Sequence, residues 1–138
     1  MSSAERVFLD SGIFIALLDR SDRWHGAARE RFGARAPQWH TSLAVVSETY
    51  SWFLHRCGEE VARGFRLALS DFTGLKLLPL DEKHHHAVAA KLERHRGQKL
   101  TWVDASSLVF LTRERIKTVW GTDHHLGIEG AKVIPGGA

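Results

Sequence analysis

Five short apolar runs, RVFL (6–9), QWHT (38–41), LKLLPL (75–80), KTVWG (117–121) and KVIP (132–135), are separated by longer stretches whose apolar residues recur at helical spacing. Strands alternating with helices predict an α/β fold: a three-layer α/β/α sandwich around a mainly parallel sheet of about five strands. The stripe Leu43, Val46, Tyr50 and Phe53 or Leu54 predicts an amphipathic helix capped by Ser42, and Gly58 parts it from a second helix near 59–72. Val88 and Leu92 anchor a third helix that Gly97 closes, and Ala105, Leu108, Val109, Thr112 and Ile116 mark a fourth.

A chain of 138 residues, 43% hydrophobic, suits one domain over 1–138, without linker or internal repeat. The GGA end is expected to fray. No apolar run approaches the ~20 residues that span a bilayer; IFIALL (13–18) stops at Asp19 and Arg20. The opening MSSAERVFLD lacks the form of a signal peptide. The expectation is a cytoplasmic protein with no membrane segment. Its single Cys57 can form neither an internal disulfide nor a Cys-rich zinc site.

Four carboxylates share one local context. Asp10 in VFLDSG, Glu48 in VVSETY, Asp104 in TWVDASS and Asp123 in VWGTDHH each stand against apolar residues with Ser or Thr close by. In an open parallel sheet, ligands bind beyond the carboxyl ends of the strands. That rule puts Asp10 and Asp123 on one edge, and Glu48, less than two turns into its helix, can face the same edge. Asp104 follows two successive helices, so up-and-down counting does not bring it there. Purely structural duties also exist for these acids: an N-cap at Asp10, a Thr101–Asp104 capping box, and an Asx turn at Asp123. Glu48, amid Ala44, Val45 and Trp52, has none.

Two carboxylates about 4 Å apart repel by roughly 4 kcal/mol at an effective dielectric of ~20, so four converging acids call for a cation. Oxygen donors from Asp and Glu suit Mg²⁺ or Mn²⁺. Such an ion would activate water for in-line attack on a phosphodiester. Asp10 and Asp104 are the expected direct metal ligands. Glu48 and Asp123 would act through water, while Ser11 and Thr122 would orient carboxylates. The 16 acidic residues less these four leave 12 against 19 Lys and Arg, a basic surface around an acidic pocket, which suits a polyanion.

In these contexts the ordered set Asp10, Glu48, Asp104, Asp123 resembles the PIN-domain nucleases, and among them the VapC-like toxins of bacterial toxin–antitoxin pairs. FLDSGIFIALL, SLAVVSETY, WVDASSLVFLTRERI and VWGTDHHLGIEGAKVI carry the likeness across nearly the whole chain. The resemblance implies an α/β/α sandwich in which paired helices still deliver the third acid to the pocket. It also implies a metal-dependent endoribonuclease acting on RNA, a homodimer, and a cognate antitoxin whose tail offers a basic side chain to the acids. Two positions depart from the family pattern: Gly121 stands where Thr is usual, with Thr122 adjacent, and Leu126 where Phe is usual.

Two other classes compete. A haloacid dehalogenase-type phosphatase would use Asp10 as nucleophile, but it needs an acid two residues on, where Gly12 stands. A non-catalytic RNA-binding or regulatory relative would use the acids as caps. His84, His85 and His86 lack zinc-site spacing and are expected to be exposed on a helix, as His124 and His125 are in a turn, with at most a touch on substrate near Asp123. Arg113, Arg115 and Lys117 are read as a solvated helix end, and Trp102 and Trp120 as core residues.

Overall fold

The structure, a computed structural model, describes residues 4–136; the GGA end expected to fray falls largely outside them, at 137 and 138. All five strands form where the apolar runs predict them: β1 (Arg6–Leu9), β2 (Gln38–Ser42), β3 (Lys76–Leu78), β4 (Thr118–Gly121) and β5 (Lys132–Pro135). They pair in the order β3-β2-β1-β4-β5, every pair parallel. Short strands suffice because the central ones are fully covered. Val7, Phe8 and Leu9 of β1 expose at most 1% of their surface, and burying each contributes about 1.5–3 kcal/mol.

Six helices connect the strands: α1 (Ser11–Leu18), α2 (His25–Gly33), α3 (Leu43–Cys57), α4 (Glu59–Ser70), α5 (Glu82–Arg94) and α6 (Trp102–Arg113). The chain steps outward from β1 to β3, then returns past both strands to β4. Right-handed crossovers in opposite directions place α1–α4 on one face and α5–α6 on the other, giving the expected three layers. The order reverses between β1 and β4, so the ends of these two strands form the crevice of the sheet.

Two helix faces differ from their sequence patterns. On α3 the buried residues are Val45, Thr49 and Phe53, while Leu43, expected in the core, is 43% exposed. Thr49 can enter the core because its hydroxyl donates to the Val45 carbonyl at 2.7 Å, which removes the cost of an unmet polar group. Ser42 caps the helix as predicted, accepting from the Val45 amide at 3.1 Å. On α6 the whole run Ala105–Leu111 is buried, two serines included, rather than a single stripe, and Thr112 lies outside it.

Helices α5 and α6 settle the Asp104 problem. Their contacts match start with start and end with end: His85 against Trp102, His84 against Ser106, Lys91 against Thr112. The two helices therefore run parallel. A helix of 13 residues at about 1.5 Å each spans about 20 Å, and residues 95–101 first turn, the Arg96 and Gln98 amides donating to the Glu93 and His95 carbonyls, and then carry the chain back. Gly97 and Lys99, both at positive φ, let the return strand turn back beside α5. Counting helices as alternately descending and ascending fails because residues 95–101 make the ascent without helix. The start of α6, and Asp104 with it, returns to the edge where the strands end.

Candidate active site

Asp10 ends β1, its amide donating to the Trp120 carbonyl of β4 at 3.0 Å, and its side chain makes no helix-capping bond to α1. Only 6% of the residue is exposed. A Cβ on Gly121 would come within 3.3 Å of the Asp10 Cβ, so the glycine found where the family usually has threonine gives this acid its room. A Cβ on Gly12 would collide with the Thr122 hydroxyl oxygen. The β1–α1 and β4 junctions therefore interlock through two glycines, and Thr122 packs over Gly12; no hydrogen bond joins its hydroxyl to a carboxylate among the described residues.

Burial raises the Asp10 pKa to about 7; the Ser11 amide opposes the rise, and the charges of Glu48, Asp104 and Asp123 add to it. Glu48, partly buried on α3, is likewise raised by burial and by Asp104, with the Ser11 hydroxyl acting against the rise. Four acids distant in sequence thus act on one another at one edge of the sheet. Among the described residues no Lys or Arg forms an ion pair with any of them.

Asp104 and Asp123 also hold local structure. The Asp104 amide donates to Thr101 Oγ1 at 3.0 Å, and Asp104 Oδ2 accepts from the Thr101 amide at 3.1 Å, completing the capping box. Asp123 Oδ1 accepts from the His125 amide at 2.9 Å, which shapes the 3₁₀ turn His124–Gly127. Each carboxylate keeps further lone pairs for a ligand. The donor chemistry suits a divalent cation: burial and mutual repulsion of the carboxylates raise the Asp10 pKa, with no Lys or Arg paired to them, and beside them stands a tighter group, Asp123, His124 and His125, whose donor atoms lie within 4.8 Å of one another.

His125 stands in the expected turn, while two residues nearby, His84 and Trp102, differ from their sequence readings. His125, in the turn, reaches both acids, with Nδ1 3.0 Å from Asp123 Oδ1 and 3.9 Å from Asp104 Oδ2. His84, expected on an exposed face, is 2% exposed, bonded through Nε2 to Ser106 Oγ at 2.6 Å and stacked on Phe110. No local signal marks it, because its partners lie on the next helix. Trp102, expected in the core, is 45% exposed and stacks with His85, whereas Trp120 is buried as expected.

The family model of the PIN domain matches residues 7–127, spanning all four acids. The chain belongs to the PIN-domain family. A curated relative, the 23S rRNA-specific endonuclease VapC20 of Mycobacterium tuberculosis, is 25% identical over 125 residues, covering 90% of this chain and 94% of that protein. The crystal structure of the same VapC20, a sarcin-ricin loop cleaving toxin, superposes with a TM-score of 0.83 at 23% identity, over 91% of this chain and 95% of that one. A toxin–antitoxin complex from Klebsiella pneumoniae follows, with a TM-score of 0.67 at 19% identity and coverage of 94% and 97%. The sheet and helices described above are the frame that this chain shares with both structures. No helix of the described residues is long and apolar enough to cross a membrane.

Proposed function

We propose that this PIN domain is a metal-dependent endoribonuclease and the toxin of a type II toxin–antitoxin pair. The observation that carries the reading is the buried Asp10, pushed to a pKa of about 7 beside three further acids with no Lys or Arg paired to them. A fold does not keep such a cluster for stability, since the repulsion is unfavourable unless a cation enters. Asp10 and Asp104 would hold Mg²⁺ or Mn²⁺ directly, Glu48 would orient the attacking water, and Asp123 would complete the set. When bound, the ion neutralises charge on the scissile phosphate and makes water nucleophilic near neutral pH. The Ser11 hydroxyl opposes the rise that burial and Asp104 impose on the Glu48 pKa, which favours the carboxylate form that accepts a proton. The basic surface around the pocket guides an RNA backbone toward it.

The substrate class and the partner follow the relatives: VapC20 is an endonuclease specific for 23S rRNA, and a solved neighbour is a toxin–antitoxin complex. An antitoxin tail that placed a basic side chain among the acids would occupy the cation's position. A homodimer and a cytoplasmic location belong to the same reading. The non-catalytic alternative draws on the structural duties of Asp104 and Asp123, but it leaves Asp10 and Glu48 without a role. The phosphatase alternative lacks its second acid, and the contact of Gly12 with Thr122 leaves no room for one.

Incubation of the protein with total cellular RNA and Mn²⁺, followed by mapping of new RNA ends, tests the proposal. Discrete cuts that vanish in Asp10→Asn, with the circular dichroism spectrum unchanged, are the expected result. Full cleavage by that variant would refute it.

A further inference from the structure

Of the chain's five tryptophans only Trp102 is exposed, and it belongs to neither core cluster. Its ring lies against His85, with centroids 4.9 Å apart and planes 36° apart, and His86 stands edge-on to His85 at 5.5 Å, so three aromatic rings follow one another across the starts of α5 and α6. The fold sets their place. Helix α5 begins just beyond β3, and α6 runs parallel to it, so the rings stand at the edge where the strands end. Trp102 shares the first turn of α6 with Asp104, and the Thr101–Asp104 capping box fixes that turn. Residues two apart on a helix do not face each other, so the indole flanks the acid cluster without entering it. Lys83 in the first turn of α5 and Lys99 in the return before α6 bracket the rings along the chain, and among the described residues neither forms an ion pair. The acids next to them are engaged: Asp81 accepts from the His84 amide at 2.7 Å, and Glu82 lies 3.8 Å from His86.

A clasp between the two helices is the competing duty for the pair, and the seam does not need it. Val88, Ala105 and Val109 already close α5 against α6, together with the His84–Ser106 bond and the stacking of His84 on Phe110, while Trp102 leaves 45% of its surface in water. We infer that the Trp102–His85 pair is a stacking site for one unpaired nucleobase of the RNA strand, next to the nucleotide that is cut, with Lys83 and Lys99 taking adjoining phosphates. Every base has a π face, so such a site tolerates sequence but demands a base free of its helix. The pair therefore selects single-stranded or bulged RNA over a continuous duplex. The four acids do not supply that selection, because they meet only the cation, water and phosphate.

The inference rests on the nuclease reading in taking RNA as the ligand, and its test is independent of cleavage. Two fluorescein-labelled probes of equal length and charge, a short oligouridylate and its abasic ribose-phosphate counterpart, are titrated with the full-length protein in chelator and followed by fluorescence anisotropy. The native protein is expected to bind the oligouridylate about 5- to 150-fold more tightly, the range for one stacked base. Trp102→Leu keeps apolar bulk against His85 but has no π face; it should bind the two probes alike, with the abasic affinity unchanged. Trp102→Phe should retain most of the preference. A native protein that binds the probes equally, or binds neither, would overturn the inference before any variant is made and leave the ring to a protein surface. A preference that survives in Trp102→Leu would overturn it equally. Mapping of RNA ends judges the nuclease reading separately, since cuts that vanish in Asp10→Asn are compatible with either outcome here.

Discussion

Two clusters of charge lie at opposite ends of α6, Asp104 in its first turn and Lys91 with Glu129 beside Thr112 in its last, and they are balanced in opposite ways. At the strand ends, Asp10 is buried among like charges, and its pKa rises to about 7. At the far end, Glu129 has a partly covered side chain on an exposed residue, and burial alone would raise its pKa, yet Lys91 and His95 bring it below the ordinary value. Lys91 Nζ reaches both Glu129 oxygens at 2.7 and 2.8 Å, and His95 Nε2 reaches Oε2 at 2.7 Å. That second cluster staples α5 to the segment before β5 and is complete without a ligand. The first is incomplete, which is the physical sign of a site rather than a brace.

The largest expected effect comes from removing the charge that makes the first cluster unstable. Asp10→Asn should lower RNA cleavage more than about 100-fold, because loss of outer-shell partners alone costs about 10–100-fold. The same substitution should raise metal-free stability near pH 8 by up to about 4 kcal/mol, the free-energy equivalent of its pKa shift. Denaturant unfolding of both proteins in a chelator measures the second effect. Loss of activity accompanied by loss of stability would make Asp10 an ordinary structural residue and erase the contrast with Glu129.

Titration of the native protein sharpens the same contrast. Asp10 has a folded pKa above its unfolded value, so its proton favours the native state. That contribution is complete below about pH 4 and is lost as pH rises through about 7. In chelator, Asp10 should therefore subtract up to about 4 kcal/mol of stability across this window, and saturating Mn²⁺ should restore stability at the upper end by about 2.7 kcal/mol at 100 times its Kd. Glu129 carries the opposite sign. Its lowered pKa contributes stability above about pH 4 that is lost as pH falls. Glu129→Ala should cost about 1 kcal/mol at pH 7, the order of an exposed ion-pair network screened by solvent, with cleavage nearly unchanged. A large loss of cleavage at native stability would show that the brace also positions the Asp123–His125 turn.

How far the sequence revealed these clusters depended on the range of the forces that build them. The five strands were legible because each is a short apolar run whose burial is decided locally. Asp10 and Asp123 were legible because strand ends define the edge. Asp104 was not placed by spacing, since its position depends on the non-helical return 95–101, and nothing in the sequence of α5 shows that α6 will run parallel to it. The apolar stripe of α3 passes over Thr49, whose hydroxyl is satisfied within its own helix turn and so can enter the core. His84 was misread for the reverse reason: three consecutive histidines look solvated, and only Ser106, 22 residues on, makes one of them a core residue.

His84 yields the smallest effect and the most local one. Burial lowers its pKa, the Arg113 charge adds to the lowering, and Asp81 opposes it, so the neutral imidazole belongs to the folded state. A lowered folded pKa contributes stability above about pH 6.5 that is lost as pH falls. Ser106→Ala removes the partner of Nε2 and should cost about 1 kcal/mol at pH 7, the usual worth of one neutral hydrogen bond. Because Nδ1 has no partner either, the ring would then keep only its stacking on Phe110 at 4.2 Å. Thermal melts at pH 7 and pH 5 distinguish the outcomes. A native protein that weakens more toward acid than His84→Phe does confirms that the imidazole must stay neutral. Equal acid sensitivity in the two proteins would place the effect elsewhere and leave the α5–α6 seam indifferent to pH, in the manner of a plain apolar interface.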